Sequence, residues 1–181
     1  MELYLFETAT RKEDAYAVLA YAARRHWGFD ILPDIVRQEQ GKPHFPAHPH
    51  CHFNLSHSGI FALCAVDKHP VGADIEIIRP HHPKLAQRIC CEEELEWLED
   101  QFDKTTALCQ LWTGKEALVK YTGTGLTTPL RELRAPLPPA NEQDGLLFHS
   151  LVTPDVCLCV CGETRPDGVI YVTRDEIFGK T

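Results

Sequence analysis

No stretch of apolar residues in this sequence approaches the roughly 20 that a helix needs to cross a bilayer, and the opening Met1 to Phe6 is too short, and too interrupted by Glu2, for the apolar core of a signal peptide. Both absences lead to the expectation of a soluble, cytoplasmic protein with no membrane partner. Basic residues are also scarce: 18 Lys and Arg stand against 26 Asp and Glu, a formal charge of −8. A nucleic-acid surface wants a basic face, so nucleic acid is not an expected partner, and any anionic ligand must be held by a local cluster of cations. Internal repeats and low-complexity tracts are absent as well. Cysteine is not scarce, but the eight in 181 residues are irregularly separated in a chain that is not small. That pattern favours reduced thiols over a disulfide framework. A hydrophobic fraction of 44% suffices for one large domain or two small ones packed together.

Against this background one stretch stands out. Val71-Gly72-Ala73-Asp74-Ile75-Glu76-Ile77-Ile78 is apolar and β-branched except for two carboxylates two residues apart. Such a run reads as a buried strand. Alternation then sends Asp74 and Glu76 to the same face, with Cβ atoms about 6.5–7 Å apart. Two anions looking into one space raise each other's pKa unless a cation lies between them, and a hard divalent ion such as Mg2+ with oxygen ligands meets that need. The plainer alternative is an edge strand with two solvated acids.

The remainder reads as alternating strands and helices. Met1 to Glu7 is a strand. A helix follows Arg11-Lys12-Glu13-Asp14 and runs to about Trp27, with Ala15, Val18, Leu19, Ala22 and Ala23 as its apolar stripe and Arg24, Arg25 and His26 at its C-terminal end. Gly28 to His52 is irregular and Pro-rich; its histidines and Cys51 lack the paired spacing of zinc ligands. The polar turn Phe53-Asn54-Leu55-Ser56-His57-Ser58-Gly59 precedes a strand from Ile60 to Val66. After a loop containing His81 come a short helix from Leu85 to Cys90 and a segment opened by Cys91-Glu92-Glu93-Glu94, where cysteine occupies the capping-box position of Ser or Thr and weakens the cap. A longer helix spans Lys104 to Lys120 and places Trp112, Glu116 and Lys120 on one stripe. Gly114 within it hints at close packing. Leu146 to Thr153, Val156 to Gly162 and Val169 to Thr173 read as three strands of an antiparallel meander, with Cys157, Cys159 and Cys161 on one face as small buried hydrophobes.

Four stretches in this order, Gly41-Lys42-Pro43, Phe53-Asn-Leu-Ser-His-Ser-Gly59, Val71-Gly-Ala-Asp-Ile-Glu76 and Trp112-Thr-Gly-Lys-Glu-Ala-Leu-Val-Lys120, resemble the signature set of 4'-phosphopantetheinyl transferases of the surfactin-synthetase-activating type. The resemblance runs from about Arg11 to the C-terminal strands. It implies an α+β fold of two similar α/β halves packed as a pseudo-dimer, here residues 1–68 and 69–181, in a monomer with the site between the halves. It also implies transfer of the phosphopantetheine arm of coenzyme A to a serine of an apo acyl or peptidyl carrier protein, with release of adenosine 3',5'-bisphosphate. By that similarity Asp74, Glu76 and Glu116 ligate Mg2+, Glu116 is the general base, and Lys120 neutralises the pyrophosphate or shuttles a proton. Lys42 and Pro43 fall near the adenine, Ser56 and His57 near the phosphates, and Arg11 with Arg24 or Arg25 at the 3'-phosphate; Lys115 is a weaker candidate for the phosphates, because its position next to Glu116 points it elsewhere on the helix. Two departures stand beside the match: a shorter N-terminus, and Cys91 in place of the usual Ser or Thr before Glu94, whose role stays open. The competing expectations are another Mg2+-dependent enzyme that cleaves a pyrophosphate, and a catalytically idle protein that binds coenzyme A or a carrier.

Overall fold

The computed structural model describes residues 1–11, 13–38, 41–80 and 82–179; Lys12 and His81, read above into a helix start and a loop, lie outside the described residues. Its elements are β1 (Glu2–Phe6), α1 (Asp14–Trp27), β2 (Val36–Arg37), β3 (Pro43–His44), β4 (His52–Ser58), β5 (Phe61–Asp67), β6 (Val71–Ile77), α2 (Pro83–Ile89), α3 (Glu92–Glu99), α4 (Lys104–Thr122), β7 (Glu142–Gln143), β8 (Leu146–Val152), β9 (Val156–Gly162), β10 (Val169–Val172) and α5 (Arg174–Phe178). No described helix is long and apolar enough to cross a membrane.

Two four-stranded sheets, ordered β10-β1-β5-β4 and β6-β9-β8-β7, form the two inner layers. Strand alternation decides what each face meets. Leu3 and Leu5 of β1 with Leu63 and Ala65 of β5 pack against Val71, Ala73 and Ile75 of β6 and Leu158 and Val160 of β9, the core shared by both sheets. The opposite face of the first sheet, with Tyr4, Phe6, Cys64 and Val66, receives the apolar stripe of α1. Cys159 and Cys161 on the opposite face of the second sheet receive Ala117 of α4. The layering is thus helix, sheet, sheet, helix: an α+β architecture of two halves, each a sheet with its own helix. α1 is ended by Gly28, whose φ of 75° supplies the left-handed turn.

The expected three-stranded meander is corrected in one strand. β8 and β9 pair antiparallel, but β10 crosses to the other sheet and lies parallel to β1, with Leu3 opposite Val169 and Phe6 opposite Val172. One strand of the C-terminal half, as drawn above, therefore lies in the sheet of the N-terminal half. Alternation could set the face of β10 but not its neighbour, because both sheets offer an apolar inner face.

The tight approach expected at Gly114 is found instead at Gly72. A methyl group on Gly114 would meet the Ala135 side chain at 3.4 Å, an ordinary contact, whereas one on Gly72 would come within 2.0 Å of the Ala117 carbonyl oxygen and 2.5 Å of the Tyr121 nitrogen. Gly72 therefore lets the backbone of α4 rest on β6, which brings the helix stripe carrying Glu116 and Lys120 beside the strand carrying Asp74 and Glu76.

Candidate active site

β4 and β6 are the edges of different sheets, each with a backbone ladder on its far side only. Where they meet, side chains replace the ladder. The N–H groups of Ala73, Ile75 and Ile77 on β6 donate to Asn54 Oδ1 (3.1 Å), Ser56 Oγ (3.3 Å) and Ser58 Oγ (3.1 Å) on β4. The three acceptors are two residues apart, so alternation puts them on one face. Ser56 passes its own proton to Asp74 Oδ1 (2.7 Å), and Ser58 passes its proton to Glu76 Oε2 (2.8 Å). Ser56 is a site residue by resemblance and Ser58 and Asn54 are not, although the spacing that pairs Asp74 with Glu76 also pairs these three.

From α4, Lys120 Nζ donates to Asp74 Oδ1 (2.7 Å) and Ser56 Oγ (2.8 Å). Glu116, one turn earlier and half-buried, feels both strand acids. Burial pushes the Glu116 carboxyl up, and the neighbouring Asp74 and Glu76 add to that against the opposing pull of Lys120. Asp74 is raised chiefly by burial, with Lys120 and Ser56 working the other way. Glu76 is raised by burial and by Asp74, partly offset by its bond from Ser58. Three carboxyl groups thus share one ammonium, and each is harder to ionise than it would be in water.

The donor set suits a hard divalent cation. Asp74 Oδ2 is buried with no hydrogen-bond partner, and the surplus of carboxylate over ammonium is the charge that such an ion balances. Among the described residues, no three His, Cys, Asp or Glu side chains, these acids included, are already gathered closely enough to hold a metal ion. Lys120 stands on Asp74 in that role, so an ion would have to share Asp74 with it or displace it.

A cavity of about 520 Å3 opens beside the acids, bordered by Lys42, Pro43, Ser56, His57, Lys120 and the unanticipated Arg37 and Tyr16. None of the three acids borders it: Asp74 is held by two residues of its lining, Ser56 and Lys120, and Glu76 borders a separate pocket with Arg79 and Trp112. Lys42 Nζ donates to the carbonyls of Tyr121 (2.7 Å) and Val71 (3.3 Å), and burial pushes its pKa down to about 8. Arg37 is held across the mouth by Gly41 O and the Tyr16 hydroxyl, each at 2.8 Å. It sits in the irregular Pro-rich stretch, where no periodicity could flag it.

Four expectations need correction or narrowing. Lys115 does not face the cavity: it is fully buried and donates to Ile89 O (2.7 Å), Leu130 O (2.9 Å) and Glu94 Oε2 (2.6 Å), leaving no donor for a phosphate. Glu94 thereby gains a role, because the same oxygen also accepts the Cys91 N–H (2.8 Å); the reciprocal bond is made despite the cysteine. Arg24 sits two turns beyond Tyr16, about 12 Å along α1, and pairs with the exposed Asp30 (3.7 Å). Arg11 is exposed and pairs with Asp14 (3.8 Å); neither arginine borders the cavity. Ser56 borders it, but its proton goes to Asp74 and its two lone pairs accept from Ile75 N and Lys120 Nζ, so it meets a ligand only if one of those bonds breaks.

Comparison with known proteins locates the same region. The sequence model of the 4'-phosphopantetheinyl transferase superfamily matches residues 70–159, from the turn before β6 into β9. A 4'-phosphopantetheinyl transferase of Bacillus subtilis is 38% identical over 128 residues, 66% of this chain and 57% of that protein. The 4'-phosphopantetheinyl transferase Sfp of Bacillus subtilis strain 168 is 38% identical over 158 residues, 78% of this chain and 69% of its own length. The 4'-phosphopantetheinyl transferase AcpT of Salmonella typhimurium is 44% identical over 100 residues, 51% of this chain and 50% of its own. The matches therefore span between 50% and 69% of these three relatives' length.

Proposed function

We propose, from the premise that this chain belongs to the 4'-phosphopantetheinyl transferase superfamily, that it transfers the phosphopantetheine arm of coenzyme A to a serine of an apo acyl or peptidyl carrier protein. The observation that carries this reading is the set of three half- or fully buried carboxyl groups, Asp74, Glu76 and Glu116, that all feel Lys120, with Asp74 bound to two residues, Ser56 and Lys120, that line a cavity edged with cations.

Mg2+ would be held by Asp74, Glu76 and Glu116, and when bound it supplies charge neutralisation for the pyrophosphate as phosphoryl transfer proceeds. The protein's own groups supply the rest. The carrier serine oxygen attacks the phosphorus that bears the pantetheine arm, the bond from that phosphorus to the bridging oxygen breaks, and adenosine 3',5'-bisphosphate departs with the electron pair. The serine proton passes to Glu116 as general base. Lys120, moved off Asp74, neutralises the departing phosphate. Lys42, Arg37 and His57 hold the anionic end of coenzyme A along the cavity, with Pro43 against the base. One chain contributes every residue named, which supports a monomer; residues 1–68 and 69–181 are the proposed halves, and the cytoplasm is the proposed compartment.

The test is mass spectrometry of several apo-carriers incubated with the protein, coenzyme A and Mg2+. The expected result is a gain of one phosphopantetheine arm per carrier. Release of inorganic pyrophosphate or phosphate with no gain on any carrier would favour a different pyrophosphate-cleaving enzyme. Coenzyme A binding without turnover would favour an idle binding protein.

A further inference from the structure

The seam between β4 and β6 does more than join two sheets. Each serine in it accepts the N–H of the residue that follows a carboxylate and donates to that carboxylate: Ser56 links Ile75 N to Asp74, and Ser58 links Ile77 N to Glu76. Because a hydroxyl has one proton, the bond accepted from the backbone directs that proton at the acid. One oxygen of each carboxylate is thereby engaged; for Asp74 the other, Oδ2, is buried without a hydrogen-bond partner. Asn54 accepts the same kind of backbone bond, from Ala73 N, but the residue before Ala73 is Gly72, which carries no carboxylate. The seam therefore contains its own control.

We propose that Ser58 is a positioning residue for the divalent-cation site, fixing by its hydrogen bond which oxygen of Glu76 is offered to the ion. This deepens the reading above and rests on it. Ser58 is almost fully buried and does not border the cavity, so it acts through Glu76 and not on substrate. Groups that orient a metal ligand typically contribute ten- to a hundredfold to metal affinity, and a hydrogen bond to a charged acceptor is of matching strength.

The probe is Mn2+ alone, titrated into the full chain without coenzyme A and followed by electron paramagnetic resonance, alongside the melting temperature of the metal-free protein. Ser58→Ala should weaken Mn2+ at least tenfold, and Ser58→Thr, which keeps the hydroxyl, should recover most of that loss. Asn54→Ala should lower the melting temperature, as any broken strand contact does, while Mn2+ affinity stays within about threefold of the original protein. Unchanged Mn2+ affinity in Ser58→Ala overturns the proposal, as does an equal loss in Asn54→Ala, which would make general integrity of the seam the cause. If the unsubstituted protein binds no Mn2+, the metal reading itself fails and this inference falls with it. Carrier labelling that persists in that case would leave the transferase reading standing.

Discussion

Lys115 and Lys120 lie on the same helix and each meets a carboxylate, yet the two pairs behave as opposites. Lys115 reaches Glu94 with its other two donors on backbone carbonyls, and its side chain has no exposure. Lys120 reaches Asp74 with its side chain 27% exposed at the edge of a cavity. Both pairs leave one buried carboxylate oxygen without a partner, Glu94 Oε1 and Asp74 Oδ2. An orphaned oxygen is therefore no mark of a site by itself. What separates the two is surplus charge: Lys115 faces a single acid, and Lys120 stands among three.

That contrast can be broken in several ways. The largest effect is expected from removing an acid of the surplus. Glu116→Ala should slow carrier labelling by about 10²–10⁴-fold, as loss of a general base does, while the melting temperature stays near that of the original protein. Next, Lys115→Met should cost about 3–5 kcal/mol in urea unfolding, because Glu94 is left buried and unpaired, and Mg2+ should not restore it. Lys120→Met is the counterpart: its metal-free form should be less stable, but Mg2+ should return most of the loss, since a divalent ion can answer the same acids. Equal rescue of both lysine variants would erase the distinction.

A smaller effect is expected from pH. Asp74, Glu76 and Glu116 hold protons more tightly folded than unfolded, so their contribution to stability is full below the ordinary carboxylate range and is lost as pH rises through their raised values. Metal-free protein should thus lose melting temperature on that rise, and Mg2+ should flatten the slope. The smallest effect concerns Lys42, which carries its charge only below about 8. Coenzyme A should bind less tightly by roughly tenfold or less as pH passes upward through that value, and Lys42→Met should remove this dependence in a calorimetric titration.

Much of the fold was legible because it depends on local periodicity. The α1 stripe, the paired acids of β6 and the α4 stripe all lie where spacing puts them. The fate of Lys115 was legible only in part: it is adjacent to Glu116, so about 100° of helix turn points it elsewhere, but only tertiary packing tells that the side it faces is closed. Ser58 could have been read from the same two-residue spacing as Asp74 and Glu76. The partner of β10 could not, since an apolar strand of four residues carries no information about which of two apolar sheets it joins.

The position of β10 bears on how the chain is made. β1 is synthesised before both of its neighbours, pairs on one side with β5, and must wait until after β9 for β10 to close its other side. During that interval nascent chains expose an open, apolar strand edge, the kind that templates association with a neighbour. Translation that stalls between β9 and β10 should therefore yield sticky intermediates, and slow synthesis of β10 should reduce the yield of dispersed protein without touching any residue of the site.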